Sequence, residues 1–203
     1  MKRNLAVLFA LIGWFALIAQ YILMIENRQT PIPETTIRFF SFFTILTNLL
    51  VAIYFTYIGF TKNPTSKSIQ QPGFLTAITI YITMVGLIYQ IALRHVWQPK
   101  GLQLIVDELL HSLIPIITII FWCLYEATKS VKYSQILKWA IYPVFYLCYI
   151  LVRGRYSGFY PYPFIDVTSL GIEKALTNAS VLLFVFIIIS ALFVFIGKSI
   201  IKR

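Results

Sequence analysis

Charge is scarce in this chain, and acid is scarcest of all. Charged residues make up 12% of 203, with seven Asp and Glu against 17 Lys and Arg. That is about half the charged share of an ordinary soluble domain. There are two cysteines, Cys123 and Cys148, both inside apolar runs. A disulfide framework is not indicated, and such residues are ordinarily small buried side chains. Each candidate site holds one histidine, too few for the usual zinc sets, so no metal is expected. No Gly-rich nucleotide loop, internal repeat, low-complexity tract or soluble domain is visible, and no cofactor is implied.

Apolar sequence is abundant instead. The chain is 59% hydrophobic with a mean hydropathy of +0.81. Six apolar segments run roughly from Leu5 to Ile25, Thr36 to Phe60, Phe74 to Val96, Leu109 to Tyr125, Ile136 to Val152 and Ala175 to Ile196. Most are near the ~20 residues a helix needs to cross a bilayer. The expectation is an all-α polytopic membrane protein, with residues 1–203 forming a single domain of six transmembrane helices in one bundle.

The scarce charges sort between alternate connections. The N-terminus, second loop, fourth loop and C-terminus hold Lys2, Arg3, Lys62, Lys67, Lys129, Lys132, Lys138, Lys198, Lys202 and Arg203, against the single acid Glu126. The other three connections hold Arg28, Arg38, Arg94, Lys100, Arg153, Arg155 and Lys174, nearly balanced by Glu26, Glu34, Asp107, Glu108, Asp166 and Glu173. Basic short loops stay cytoplasmic, so both termini are expected inside. The net charge of +10 then reports topology. It points to anionic headgroups as partners and away from nucleic acid. No obligate protein partner is implied.

The start, MKRNLAVLFALIGWF, has a basic region and an apolar run, as a signal peptide would. The run continues past Ala19 to Ile25 with no clean cleavage site before the polar stretch, and reads as a retained first helix. Asn178-Ala179-Ser180 has the form of a glycosylation sequon but opens the sixth helix. The loop from Glu26 to Thr35, with Pro31 and Pro33, should be extended. Thr61 to Gly73 reads as a solvent turn. The prolines of Tyr160-Pro161-Tyr162-Pro163-Phe164 favour a fixed turn or cap.

Polar residues converge near the outer ends of the spans. Arg38, Ser41, Thr44 and Asn48 step by three or four residues, so a continuous second helix puts them on one face. Thr47 lies at its edge, and Thr44 lies about nine Å deeper than Arg38 at 1.5 Å per residue. On the fourth helix, Asp107 and Glu108 precede His111 by one turn, and either acid can reach the imidazole. Pro115 frees the carbonyl of His111. On the third, Gln90 and Arg94 share a face, with His95 beside them. A hydroxyl, a histidine and a carboxylate are the set for nucleophilic acyl transfer. The alternative for each is structural: Ser, Thr and Asn also cement helix contacts, and long polar side chains anchor at headgroups.

Three segments carry a family resemblance: FFTILTNLLVAIYF on the second helix, LLHSLIP on the fourth, and YPFID after the fifth. The pattern resembles the androgen-induced-gene family of six-span membrane proteins, including its bacterial branch. Mammalian members are threonine-dependent hydrolases of fatty-acid esters of hydroxy fatty acids. The resemblance implies Thr44 as nucleophile and His111 as its base, with Thr47 and then Ser41 as further nucleophile candidates. The family's Tyr-Pro-Phe-Leu-Glu corresponds to Tyr162-Pro163-Phe164-Ile165-Asp166. Mammalian members carry a further histidine one turn before the catalytic one, where this chain has Asp107 and Glu108.

The resulting expectation is a lipid-ester hydrolase of the bacterial inner membrane, acting on a lipid-like substrate. Thr44 attacks, His111 takes the proton, and Asp107, or else Glu108, orients the imidazole. Asn48 or Ser41 donates to the oxyanion. Arg38 or Arg94 holds a substrate carboxylate or phosphate. Glu108, Tyr162 and Asp166 complete the substrate-binding set. The alternative function is a non-catalytic binding protein or transporter for a lipid or small amphiphile. Against it stands the lack of an inverted repeat or paired broken helices.

Overall fold

A computed structural model describes residues 1–61, 69 and 71–199. Lys62, Lys67, Lys202, Arg203 and most of the turn from Thr61 to Gly73 lie outside the described residues. The chain is 83% helical, with no strand among the described residues. Six helices are long and apolar enough to cross a membrane: Lys2–Glu26, Phe43–Phe60, Phe74–Leu93, Leu102–Tyr125, Tyr133–Ser157 and Ile172–Ser199. These six spans make the chain an integral multi-pass membrane protein. Its contacts divide into two compact units, Met1–Ser130 and Val131–Lys202.

The first unit holds four spans. Helix α1 (Lys2–Glu26) lies against α3 (Phe43–Phe60), with Ala6, Ala10, Gly13 and Ala16 all buried. Small residues let membrane helices approach closely, since no hydrophobic force draws them together in lipid. A Cβ on Gly13 would stand 3.2 Å from that of Ala52, and one on Gly59 only 2.8 Å from Val7. Beside this seam, Phe9, Phe55 and Phe121 meet edge to face at 5.0 to 6.1 Å. That is the favoured geometry of aromatic quadrupoles, and it ties three spans together.

Several boundaries differ from expectation. The second apolar segment is two helices: a short α2 (Ile32–Phe39), a break at 40–42, and α3. Ser41 and Phe42 direct their N–H groups to the carbonyls of Arg38 and Phe39, tightening the last turn of α2. Phe42 is then extended, and the chain restarts. No Gly or Pro marks the break. The prolines expected to extend the first connection instead precede and open α2, with Pro31 as its N-cap and Pro33 in its first turn. An early helical proline removes only an N–H that has no helical acceptor.

The third span joins α4 (Phe74–Ile88) to a π-helical turn at Tyr89–Leu93. The fourth begins earlier than expected, as α5 (Leu102–Glu108), passes through a π turn at Leu109–Leu113, and continues as α6 (Ile114–Tyr125). Asp107 is therefore inside a span and 5% exposed. At the other end of the third span, Glu126 accepts hydrogen bonds from the N–H groups of Gly73 and Thr76. This carboxylate caps α4 from another segment of the chain, where the helix dipole favours negative charge.

The second unit holds α7 (Ile136–Ser157), α8 (Val167–Leu170) and α9 (Ile172–Ser199). Helix α7 ends at Gly158, whose φ of 67° is the left-handed cap geometry that suits glycine. The YPYPF segment folds into a 3-10 turn at Pro163–Ile165. Asn178 lies on α9 and donates to the carbonyl of Phe164 at 2.8 Å.

Candidate functional site

The two π turns organise the polar residues of the first unit. In the fourth span, Ile114 directs its N–H to the carbonyl of Leu109, a five-residue step. That leaves the carbonyl of Leu110 without its α-helical donor. Its π-helical donor would be residue 115, which is proline and has no N–H. The combination of π register and Pro115 thus orphans Leu110, one residue before the carbonyl expected from the proline alone. Asn48 supplies the missing donor: its Nδ2 lies 3.3 Å from the carbonyl of Leu110 and 2.9 Å from that of Thr44. The turn bearing Thr44 is thereby tied to the turn bearing His111.

Both partners of the Asn48 amide are carbonyls, so chemistry fixes its orientation. Both amide hydrogens are committed. Asn48 is therefore not the expected oxyanion donor. Its fully buried Oδ1 is an acceptor without a partner among the described residues. Thr44 and Thr47 are both buried in the opening turns of α3. Ser41 is fully buried in the break and donates back to the carbonyl of Ile37 at 2.7 Å.

His111 is held through Nδ1. That nitrogen lies 2.9 Å from the carbonyl of Asp107 and 3.3 Å from its Oδ1. Both neighbours are acceptors, which favours the Nδ1–H tautomer and leaves Nε2 with a lone pair. Nε2 has no hydrogen-bond partner among the described residues. The other carboxylate oxygen of Asp107 is buried and unpartnered among the described residues. Tyr89 stacks on the imidazole with centroids 4.2 Å apart and planes within 14°. Sequence reasoning missed Tyr89, because a tyrosine near the end of a span reads as an interfacial anchor.

Glu108 makes no ion pair with His111 among the described residues. Its carboxylate pairs with Arg94 and accepts from Ser112 at 2.6 Å, and Gln90 donates to that same hydroxyl at 2.9 Å. The four side chains form a closed brace between the third and fourth spans. Arg94 and Glu108, both expected to bind substrate, are thus each other's partners. Arg38 is likewise paired, with Glu34 at 2.8 Å one turn away. It sits on α2, so the break separates it from the face of Thr44 and Asn48.

In the second unit, Asp166 caps α8. It accepts from the N–H groups of Thr168 and Ser169, at 2.9 and 3.3 Å, and from the Ser169 hydroxyl at 2.6 Å. The Ser169 hydroxyl bond holds its carboxyl below the usual aspartate range, helped by those backbone donors. Asp166, expected to bind substrate, is thus engaged as a helix cap. Tyr162 is buried, with its ring parallel to Phe164 at 5.2 Å.

No group of three or more His, Cys, Asp or Glu among the described residues has the spacing to hold a metal ion. No protein-family model, curated protein or solved structure matches this chain. The family resemblance rests on its three short segments alone.

Proposed function

We propose that this protein is a membrane-embedded lipid-ester hydrolase of the kind the androgen-induced-gene resemblance implies. The observation that carries the reading is the orientation of His111. Asp107 engages Nδ1 and leaves Nε2 as the basic atom, which is the tautomer a nucleophilic triad requires. The Asn48 tie adds to it by joining the Thr44 turn to the same π turn.

In the proposed reaction, Oγ1 of Thr44 attacks the ester carbonyl carbon while its proton passes to Nε2 of His111. The tetrahedral intermediate collapses, and His111 returns that proton to the departing alkoxide. Water then attacks the acyl-threonine, again giving a proton to His111, and the carboxylic acid leaves as Oγ1 regains its proton. Asp107 stabilises the imidazolium and fixes its tautomer. The substrate is an ester with long acyl chains, reached from the bilayer of a bacterial inner membrane. Both termini face the cytoplasm, as the alternation of basic connections requires.

A fluorophosphonate probe tests the chemistry on the intact protein in membranes. The wild type is labelled, Thr44→Ala abolishes labelling, His111→Ala removes most of it, and Thr47→Ala leaves it intact. Loss with Thr47→Ala and retention with Thr44→Ala would move the nucleophile by one helical turn. A wild type that resists the probe yet retains bound lipid would replace this reading with a non-catalytic binding protein or transporter. Cysteine-accessibility labelling tests the topology. Probes placed between Glu26 and Thr35 should react from outside, and probes between Thr128 and Tyr133 should not.

A further inference from the structure

One face of the third span is shaped to the π turn of the fourth. Gly86, Tyr89 and Gln90 occupy it at one-turn spacing. At Gly86 the absence of a side chain admits the backbone of the fourth span: a Cβ there would stand 3.1 Å from the carbonyl oxygen of His111 and 3.3 Å from the Pro115 ring. Gln90 bonds the Ser112 hydroxyl. Between them, Tyr89 is 3% exposed and lies flat against the imidazole of His111. Its phenol is within electrostatic reach of the Asp107 carboxylate, and the Arg94 guanidinium lies 5.7 Å from the centroid of its ring.

These contacts restrain His111 in different coordinates. Gly86 limits where its backbone sits. Asp107 attracts Nδ1, but an imidazole attached through one Cβ–Cγ bond still rotates about that bond, and a partial turn out of the present plane would carry Nδ1 away from Asp107. A flat ring stacked at 4.2 Å resists that rotation, because tilting the imidazole drives its edge into the phenol. We infer that Tyr89 is a positioning residue that holds the His111 ring in the plane where Nδ1 meets Asp107 and Nε2 stays open. It deepens the hydrolase reading, in which the open Nε2 is the base, although the geometric effect does not require any reaction.

The chain has only two histidines, so His95→Gln leaves His111 as the sole source of imidazole signals in the full-length protein in nanodiscs. The 15N shifts of neutral imidazole at alkaline pH distinguish the two tautomers. In this background the Nδ1–H pattern is expected, with contacts between the Hε1 proton of His111 and the Tyr89 ring. Tyr89→Phe keeps the ring and should keep the pattern. Tyr89→Leu should give a mixture of both tautomers and, with a fluorophosphonate probe, labelling about 10- to 100-fold slower, the scale of a misplaced catalytic group.

Absence of the His111–Tyr89 contacts in the parent protein would overturn the inference, and this measurement does not depend on any Tyr89 variant folding. An unchanged tautomer in Tyr89→Leu would overturn it as well, as would Tyr89→Phe behaving like Tyr89→Leu. The two readings fail separately. A parent protein that is never labelled, yet whose tautomer depends on Tyr89, refutes the hydrolase and leaves the positioning role standing. Labelling that proceeds equally in Tyr89→Leu, with the parent tautomer, refutes the positioning role alone.

Discussion

Removing the Asn48 side chain should destabilise the first unit mainly by stranding the carbonyl of Leu110. Asn48 is fully buried, and its amide bridges two helices at 2.9 and 3.3 Å. Interhelical side-chain bonds in membranes contribute about 0.6 to 1.7 kcal/mol, and an unsatisfied buried group costs about 1–3 kcal/mol. Asn48→Ala should therefore cost about 2 kcal/mol, measured as the shift in an SDS-titration unfolding curve in mixed micelles. The diagnostic test is a double-mutant cycle with Pro115→Ala. Alanine restores an N–H at position 115, which is the π-helical partner of Leu110, so the carbonyl no longer depends on Asn48. Asn48→Ala should then cost about 1 kcal/mol less in the Pro115→Ala background than alone. Additivity within about 0.3–0.5 kcal/mol, the usual behaviour of independent sites, would refute the orphaned-carbonyl argument. Asn48→Asp gives a second control, because a carboxylate placed against two carbonyls repels both, and it should destabilise more than alanine.

Burial holds the Glu126 carboxyl above the ordinary glutamate range near 4.5, with the Gly73 and Thr76 N–H groups opposing only in part. The folded state thus binds the proton more tightly. This contribution to stability is fully present below the unfolded-state value and is lost as pH rises through the higher folded-state value. Wild-type unfolding midpoints should fall as pH rises above about 4.5, and Glu126→Gln should remove that part of the slope; parallel profiles would refute it. In the second unit, a Cβ at Gly154 would stand 2.1 Å from the Tyr160 ring. Gly154→Ala should cost about 1–3 kcal/mol by overpacking, and Gly154→Ala with Tyr160→Ala should recover most of the loss by the same unfolding assay.

The number of spans and the helical class were legible because both follow from a local property, the run of apolar residues against the thickness of a bilayer. The i, i+4 relation of Asp107 and His111 was legible for a similar reason: it is short-range geometry, which the π turn alters only slightly. The break at 40–42 was not, since no Gly or Pro signals it and the hydropathy continues unbroken across it. It invalidated the single face drawn from Arg38 to Asn48.

The remaining assignments depended on partners far along the chain. Asp107 and Glu108 are adjacent and chemically alike, yet one meets His111 and the other meets Arg94, a choice made by the packing of the third span on the fourth. The donor role expected of Asn48 ended with the carbonyl of Leu110, 62 residues away. Glu126, the lone acid in its set of basic connections, is a cap for a helix that begins 52 residues before it. Composition and periodicity thus determined what crosses the membrane and how many times. The tertiary structure alone decided which polar groups are already satisfied, because hydrogen-bond capacity is finite and its use depends on contacts that no local pattern records.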